Sequence, residues 1–258
     1  MFKVLFHFIL LFNTLWITEG VVFRLGALYS DPIDDFAYNF RLEVARSYVA
    51  RQLFQRGIDV ESEIHQSLPA NDTTLQVLRT MAEAKFDLIM ITSNFYFSQA
   101  IDFIQEYPDI PVLGLGLPPA PKVTNILPKT WQGYYIAGRT CALVTNTKKV
   151  GFIGINVNEL SWANQNAFYL GVKSVDTSIE AYITFTDSYY DPLMESKVAT
   201  WMVETLNVDC GTSQSVDAAK SWTSRDSKVV GFISDMRYLV NENVLLSVLF
   251  DWTTSYLE

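Results

Sequence analysis

Phe86-Asp87-Leu88-Ile89-Met90-Ile91 is the stretch that decides the fold. Its closing apolar run, Leu88 to Ile91, is too short for a buried helix and does not alternate. It therefore reads as a strand covered on both faces, the kind found in parallel sheets. Helical spacing lies on either side: 73–84 upstream, with Asn71 or Asp72 as N-cap, and 99–107 downstream, stopped by Pro108. Further out, 21–28, 59–64 and 111–115 read as strands, and 36–55 as a helix closed by Gly57. Pro118-Pro119-Ala120-Pro121 then interrupts the rhythm and marks a boundary. The pattern restarts with helices over 131–144, 163–174, 192–206 and 216–222 and strands over 149–155, 179–185 and 228–233. Strands alternating with helices predict an α/β chain in two units, each a parallel sheet with helices on both faces.

Composition narrows the class. The chain has 258 residues, enough for one large or two modest domains with real cores. Hydrophobic residues make up 49% and charged ones 18%, which excludes a disordered chain. The 17 Phe and 13 Tyr suit stacking surfaces, although core filling explains most of them. The net charge is −9 and there is no run of Lys or Arg, so nucleic acid is not an expected partner.

The first twenty residues read as a secretory signal: Lys3, a mostly apolar 4–12 broken by His7, then small Thr18 and Gly20 before the cleavage point. The apolar stretch is too short to span a membrane comfortably. The expected location is thus secreted or extracytoplasmic. The sequon Asn71-Asp72-Thr73 would be used only in a eukaryotic secretory pathway. Cys141 and Cys210 are far apart in sequence. We expect them on different elements as buried free thiols, with one disulfide as the alternative.

In open parallel sheets, ligands sit beyond the carboxyl ends of the strands. The segments to examine are therefore 29–36, 93–97, 156–162, 186–191, 211–214 and 234–236. They are rich in aromatic, amide and acidic side chains, which suits a polar, ring-containing ligand.

Several segments resemble one family. Phe86 to Phe95 with Tyr107-Pro108-Asp109 is similar to the first lobe of the basic membrane lipoprotein (PnrA-like) family of ABC-transporter substrate-binding proteins. Gln132-Gly133-Tyr134-Tyr135-Ile136-Ala137-Gly138 and Lys149-Val150-Gly151-Phe152-Ile153-Gly154 resemble its next segments. Asn166-Ala167-Phe168-Tyr169-Leu170-Gly171, Ser188-Tyr189-Tyr190-Asp191-Pro192 and Gly231-Phe232-Ile233-Ser234-Asp235-Met236 follow in the family's order. The resemblance implies a two-lobed type I periplasmic-binding-protein-like fold with three crossovers. It also implies a purine nucleoside or related base in the cleft and an ABC permease as partner. The expected organisation is a signal over 1–20, an N-terminal lobe over 21–128 and a C-terminal lobe over 129–236. A crossover over 237–258 would return toward the first lobe. Two departures stand out. The family's lipidated cysteine is missing, and the family runs well beyond the segment matched by Phe250-Asp251-Trp252, so its C-terminal helices are expected to be absent.

Candidate ligand residues follow from the loops. Asp235 could accept two ribose hydroxyls, with a helix N-cap as the alternative. Asp35 and Phe36 could pair an acid with a stacking ring, with plain capping as the alternative; Asp31 and Asp34 share that loop. Asn94 and Phe95, beside Tyr96, could hold a base, stacking being worth ~1–3 kcal/mol per base in nucleic-acid complexes. Trp162 and Asn166 open a helix at the mouth of the second lobe, and Tyr189 or Tyr190 precedes the helix start Asp191-Pro192. Trp252 is expected in the core. No cofactor, metal or catalytic residue is expected. His65 has no partnering Cys or His, and Gly114-Leu115-Gly116 lacks the continuation of a phosphate loop. Two alternatives remain: a secreted or receptor-ectodomain nucleoside sensor without a permease, and a nucleoside hydrolase holding a cation on Asp31, Asp34 and Asp35.

Overall fold

The computed structural model describes residues 21–257 apart from 35, 37, 189 and 190. The stretch read as a secretory signal therefore lies outside the described residues.

The apolar run that opens the argument is β3 (Leu88–Ile91), and it sits in the centre of a five-stranded sheet ordered β2-β1-β3-β4-β5. Its neighbours are β1 (Val21–Tyr29), β2 (Ile58–Gln66), β4 (Val112–Gly114) and β5 (Val123–Asn125). All pairings are parallel. The connecting helices are α1 (Tyr38–Phe54), α2 (Asp72–Glu83) and α3 (Phe97–Glu106). Asn71 caps α2 by accepting from Thr73 N at 2.9 Å, and Gly57 takes φ +81°, the left-handed turn that leads from α1 into β2.

The second sheet is also parallel and runs β10-β9-β8-β6-β7. Its strands are β6 (Lys149–Gly154), β7 (Glu180–Phe185), β8 (Cys210–Ser213), β9 (Lys228–Ile233) and β10 (Val244–Leu249). The helices are α4 (Thr130–Val144), α5 (Glu159–Lys173), α6 (Pro192–Glu204) and α7 (Val216–Thr223). α4 and α5 pack backbone to backbone: a Cβ on Gly138 would lie 2.1 Å from the Phe168 carbonyl oxygen. A short α8 (Thr253–Leu257) closes the described chain.

Four expectations need correction. The helix read over 36–55 starts at Tyr38, and Phe36 stands before it at φ +59°. β5 was not foreseen, because its three residues Val123-Thr124-Asn125 carry no apolar run and follow the proline segment. β8 stands where the sequence suggests a loop, and Cys210 to Ser213 is buried throughout; Gly, Thr and Ser fill a central strand where Trp222 covers Gly211 and leaves no room for larger side chains. Finally, Cys141 and Cys210 form a disulfide rather than two free thiols. α4 lies across β8 with the two Cα atoms 5.3 Å apart, inside bridging range, and both residues fully buried. That approach depends on helix placement, which spacing along the sequence does not reveal.

After β9 the chain does not cross at once. Residues 244–249 first extend the second sheet as β10, and the first-sheet helix α1 is then met by Phe250, whose carbonyl oxygen accepts from the Arg41 guanidinium at 2.8 and 2.9 Å. Tyr38, Phe250 and Trp252 meet edge to face there, and Trp252 is buried as expected.

Candidate functional site

In each sheet the first strand sends its connections to opposite sides, β1 to β2 and then β3, β6 to β7 and then β8. Such reversals open a crevice beyond the carboxyl ends of the strands. Both crevices open into one cavity of about 680 Å³, within the range of small-molecule sites. Both sheets contribute walls.

The first wall comes from the segments after β1, β3 and β4. Asp31 leaves β1; its carboxylate accepts from Ser30 Oγ at 2.7 Å and from Asn39 Nδ2 at 3.4 Å. Asn39, in the first turn of α1, is 2% exposed, and its Oδ1 has no partner among the described residues. Turning the amide over would place Oδ1 against the Asp31 carboxylate, so Oδ1 remains the unsatisfied acceptor. Phe36 and Asn94 also line the cavity. A bulky side chain at positive φ is strained, and such strain tends to gather at functional sites. Phe36 at φ +59° is one instance; on the opposite wall Ile233, a β-branched residue at φ +74°, is another.

The second wall is built from helix starts. Asn158, Asp191 and Ser215 cap α5, α6 and α7, accepting from Ser161 N at 2.9 Å, Met194 N at 2.9 Å, and Asp217 N and Ala218 N at 3.1 and 3.2 Å. Glu195 lies in the first turn of α6, almost fully buried, and accepts a short hydrogen bond from Ser215 Oγ. Burial pushes its carboxyl above the usual range, with Asp217 and Asp191 adding to the effect. Asn164 on α5 is buried and accepts from Thr130 Oγ1 at 2.6 Å, and Gln214 is held by donating to Tyr134 Oη at 2.8 Å.

The sequence-derived candidates divide. Phe36 and Asn94 line the cavity, as do Asp31 and Asp34. Asp35 and Tyr189 lie outside the described residues. Phe95 sits next to Asn94 with its ring 5.2 Å from Tyr96 and is not part of the lining. Tyr96 itself is a buried strut, donating to the carbonyls of Tyr29 and Leu68. Trp162 and Asn166 are exposed on α5 and fall outside the lining. A helix advances about 100° per residue, so both lie roughly 200° from Asn164, which does face the cavity. The buried series Asn164, Phe168, Val172 gives the true phase. Asp235 is likewise outside the lining. It caps the 3₁₀ turn Met236–Tyr238 by accepting from Arg237 N at 3.2 Å. The Arg237 guanidinium beside it, at 2.9 Å, holds its carboxyl below the usual range. The capping alternative describes its position. Asn39, Asn164, Glu195 and Gln214 join the lining without having been singled out; Gln214 falls in the post-strand segment 211–214, and Glu195 follows closely on the helix start Asp191-Pro192.

Comparison with known proteins places this architecture. The family model for the PnrA-like ABC transporter substrate-binding protein matches residues 22–258. The chain belongs to that family. The PnrA-like family is a substrate-binding class, and a similar two-lobed fold occurs in an ABC-transporter solute-binding protein from Aeropyrum pernix K1. That structure superposes with a TM-score of 0.79 at 15% identity, over 91% of this chain and 69% of the other. A purine-binding protein of Brucella abortus is 23% identical over 91% of this chain and 67% of its own length. Metabotropic glutamate receptor-like protein F of Dictyostelium discoideum is 26% identical over 98% of this chain. The chain spans 33% of that receptor-like protein's length. Among the described residues no helix is long and apolar enough to cross a membrane, and no three His, Cys, Asp or Glu are grouped to hold a metal.

Proposed function

We propose that this PnrA-like chain captures an uncharged, ring-bearing polar solute, a purine nucleoside, in the cleft between its two sheets. The observation that carries the reading is the cavity itself, which draws lining residues from the carboxyl ends of both sheets. A ligand touching both walls stabilises the closed arrangement over the open one, which is all that capture by closure requires. Asp31 would accept N–H or O–H groups, and Phe36 would offer a ring to the base. The purine-binding relative favours this ligand class. Export by the N-terminal signal, lobes over 21–128 and 129–236, and delivery to an ABC permease belong to the same reading.

Thermal unfolding against nucleosides, bases and sugars tests it. A ligand at about 100 times its dissociation constant adds about 2.7 kcal/mol of stability. An upward shift with adenosine, inosine or guanosine is expected; a shift with sugars alone would remove the nucleoside.

A second reading is favoured by the Dictyostelium relative, which contains a region like this chain within a protein about three times as long. The chain would then act as a sensing ectodomain. Membrane-spanning segments encoded directly downstream would support it, and an adjacent permease gene would count against it.

A further inference from the structure

Three helix starts, those of α5, α6 and α7, converge on the second wall. Free N–H groups at such starts attract anions, phosphate above all. Here those groups are partly taken by the caps Asn158, Asp191 and Ser215. Each first turn then places an acid in the cavity lining: Glu159, Glu195 and Asp217. The first wall adds Asp31 and Asp34. Against these carboxyl groups, the basic residue of the lining is Lys220, whose Nζ is 3.9 Å from Asp217. A phosphate entering this cleft meets helix-start donors that are partly engaged and acids from both sides.

We propose that Glu159, Glu195 and Asp217 are specificity residues that make the cleft reject phosphorylated solutes, so that it admits a nucleoside and excludes the corresponding nucleotide. This rests on the cleft being the solute site. Each acid also steadies its own helix through the macrodipole. That local role predicts no change in the charge preference of the ligand when the acid is neutralised.

The test compares the full chain with the variant Glu159→Gln, Glu195→Gln, Asp217→Asn by calorimetry and thermal shift. The probes are adenosine with adenosine 5′-monophosphate, ribose with ribose 5-phosphate, and pyrophosphate alone. The unaltered chain is expected to prefer the uncharged member of a pair by roughly tenfold or more at low salt, shrinking as salt screens the repulsion. The variant is expected to lose roughly tenfold of that preference, and pyrophosphate to raise the melting temperature of the variant only. Equal binding of both members by the unaltered chain, or an undiminished preference in the variant, overturns the proposal. If neither adenosine nor ribose binds, the nucleoside reading falls by itself. Pyrophosphate still decides the charge question, since equal responses from both proteins would overturn it. Should the buried Glu195 substitution prevent folding, Glu159→Gln with Asp217→Asn carries the same comparison with a smaller expected change.

Discussion

The two walls of the cleft are made differently. The first joins loops to the start of α1: Phe36 is held at positive φ, and Asn39 keeps a buried acceptor without a partner among the described residues. The second is a wall of helix starts, each capped, each with an acid in its first turn, backed by a helix tied to the sheet through Cys141–Cys210. An unsatisfied buried acceptor costs free energy until something donates to it, whereas a capped helix start is complete. The difference teaches a division of labour. On the proposed reading, the first wall offers the ligand acceptors such as Asp31, while the second sets the electrostatic terms of entry and holds its shape beforehand.

The largest effect expected from breaking this asymmetry is on stability. The disulfide spans a sequence separation of 69 residues, for which chain entropy gives about 4 kcal/mol. Replacing both cysteines with alanine should lower the urea midpoint accordingly, and hydrogen exchange should rise in β6–β10 before β1–β5. A loss shared evenly by the two sheets would mean that the second wall is not separately braced.

Next comes the ligand-facing side. Asp31→Ala removes a charged acceptor and leaves Asn39 Nδ2 without its partner, so nucleoside affinity should fall by about 2 kcal/mol, some thirtyfold. Calorimetry showing unchanged affinity with an intact fold would take the first wall out of recognition.

The third sharpens the second wall through pH. Burial raises the Glu195 carboxyl in the folded chain above its unfolded value, so the folded state holds that proton more tightly. Stability should therefore fall as pH rises from the ordinary carboxylate value through the raised one. Glu195→Gln should remove that part of the pH dependence, read as melting temperature against pH; parallel curves for the two proteins would contradict it.

The smallest expected effect is none. Asp235→Ala should leave nucleoside affinity unchanged, because that carboxylate is engaged with Arg237 outside the cavity lining. A clear drop on titration would bring Asp235 back into the site.

How much of this was legible depends on the signal each element leaves. β3, β6 and β9 announced themselves as short apolar runs, because strands covered on both faces must be apolar nearly throughout. β8 left no such mark, since Trp222 fills the space beside Gly211. On α5 the loops pointed to the end of the helix that reaches the cavity but not to the face that lines it. Asn164 lies in the cavity lining, and Trp162 and Asn166 lie outside it. Asp235 looked like a ligand residue because it follows a strand, and position along the chain does not distinguish a cap from a contact.

By itself the sequence determined the alternation of strands and helices, the parallel character of both sheets, the acidity of the chain and the family to which it belongs. These follow from local patterns: apolar runs, caps, breakers and ordered motifs. Tertiary structure alone decided that Cys141 meets Cys210, that Asn39 keeps an acceptor unpaired among the described residues, and that the first turns of α5, α6 and α7 share one cavity. Each of these depends on how far a helix slides and turns against a sheet, which is set by side-chain packing between residues distant in the chain. Local spacing carries no record of that packing.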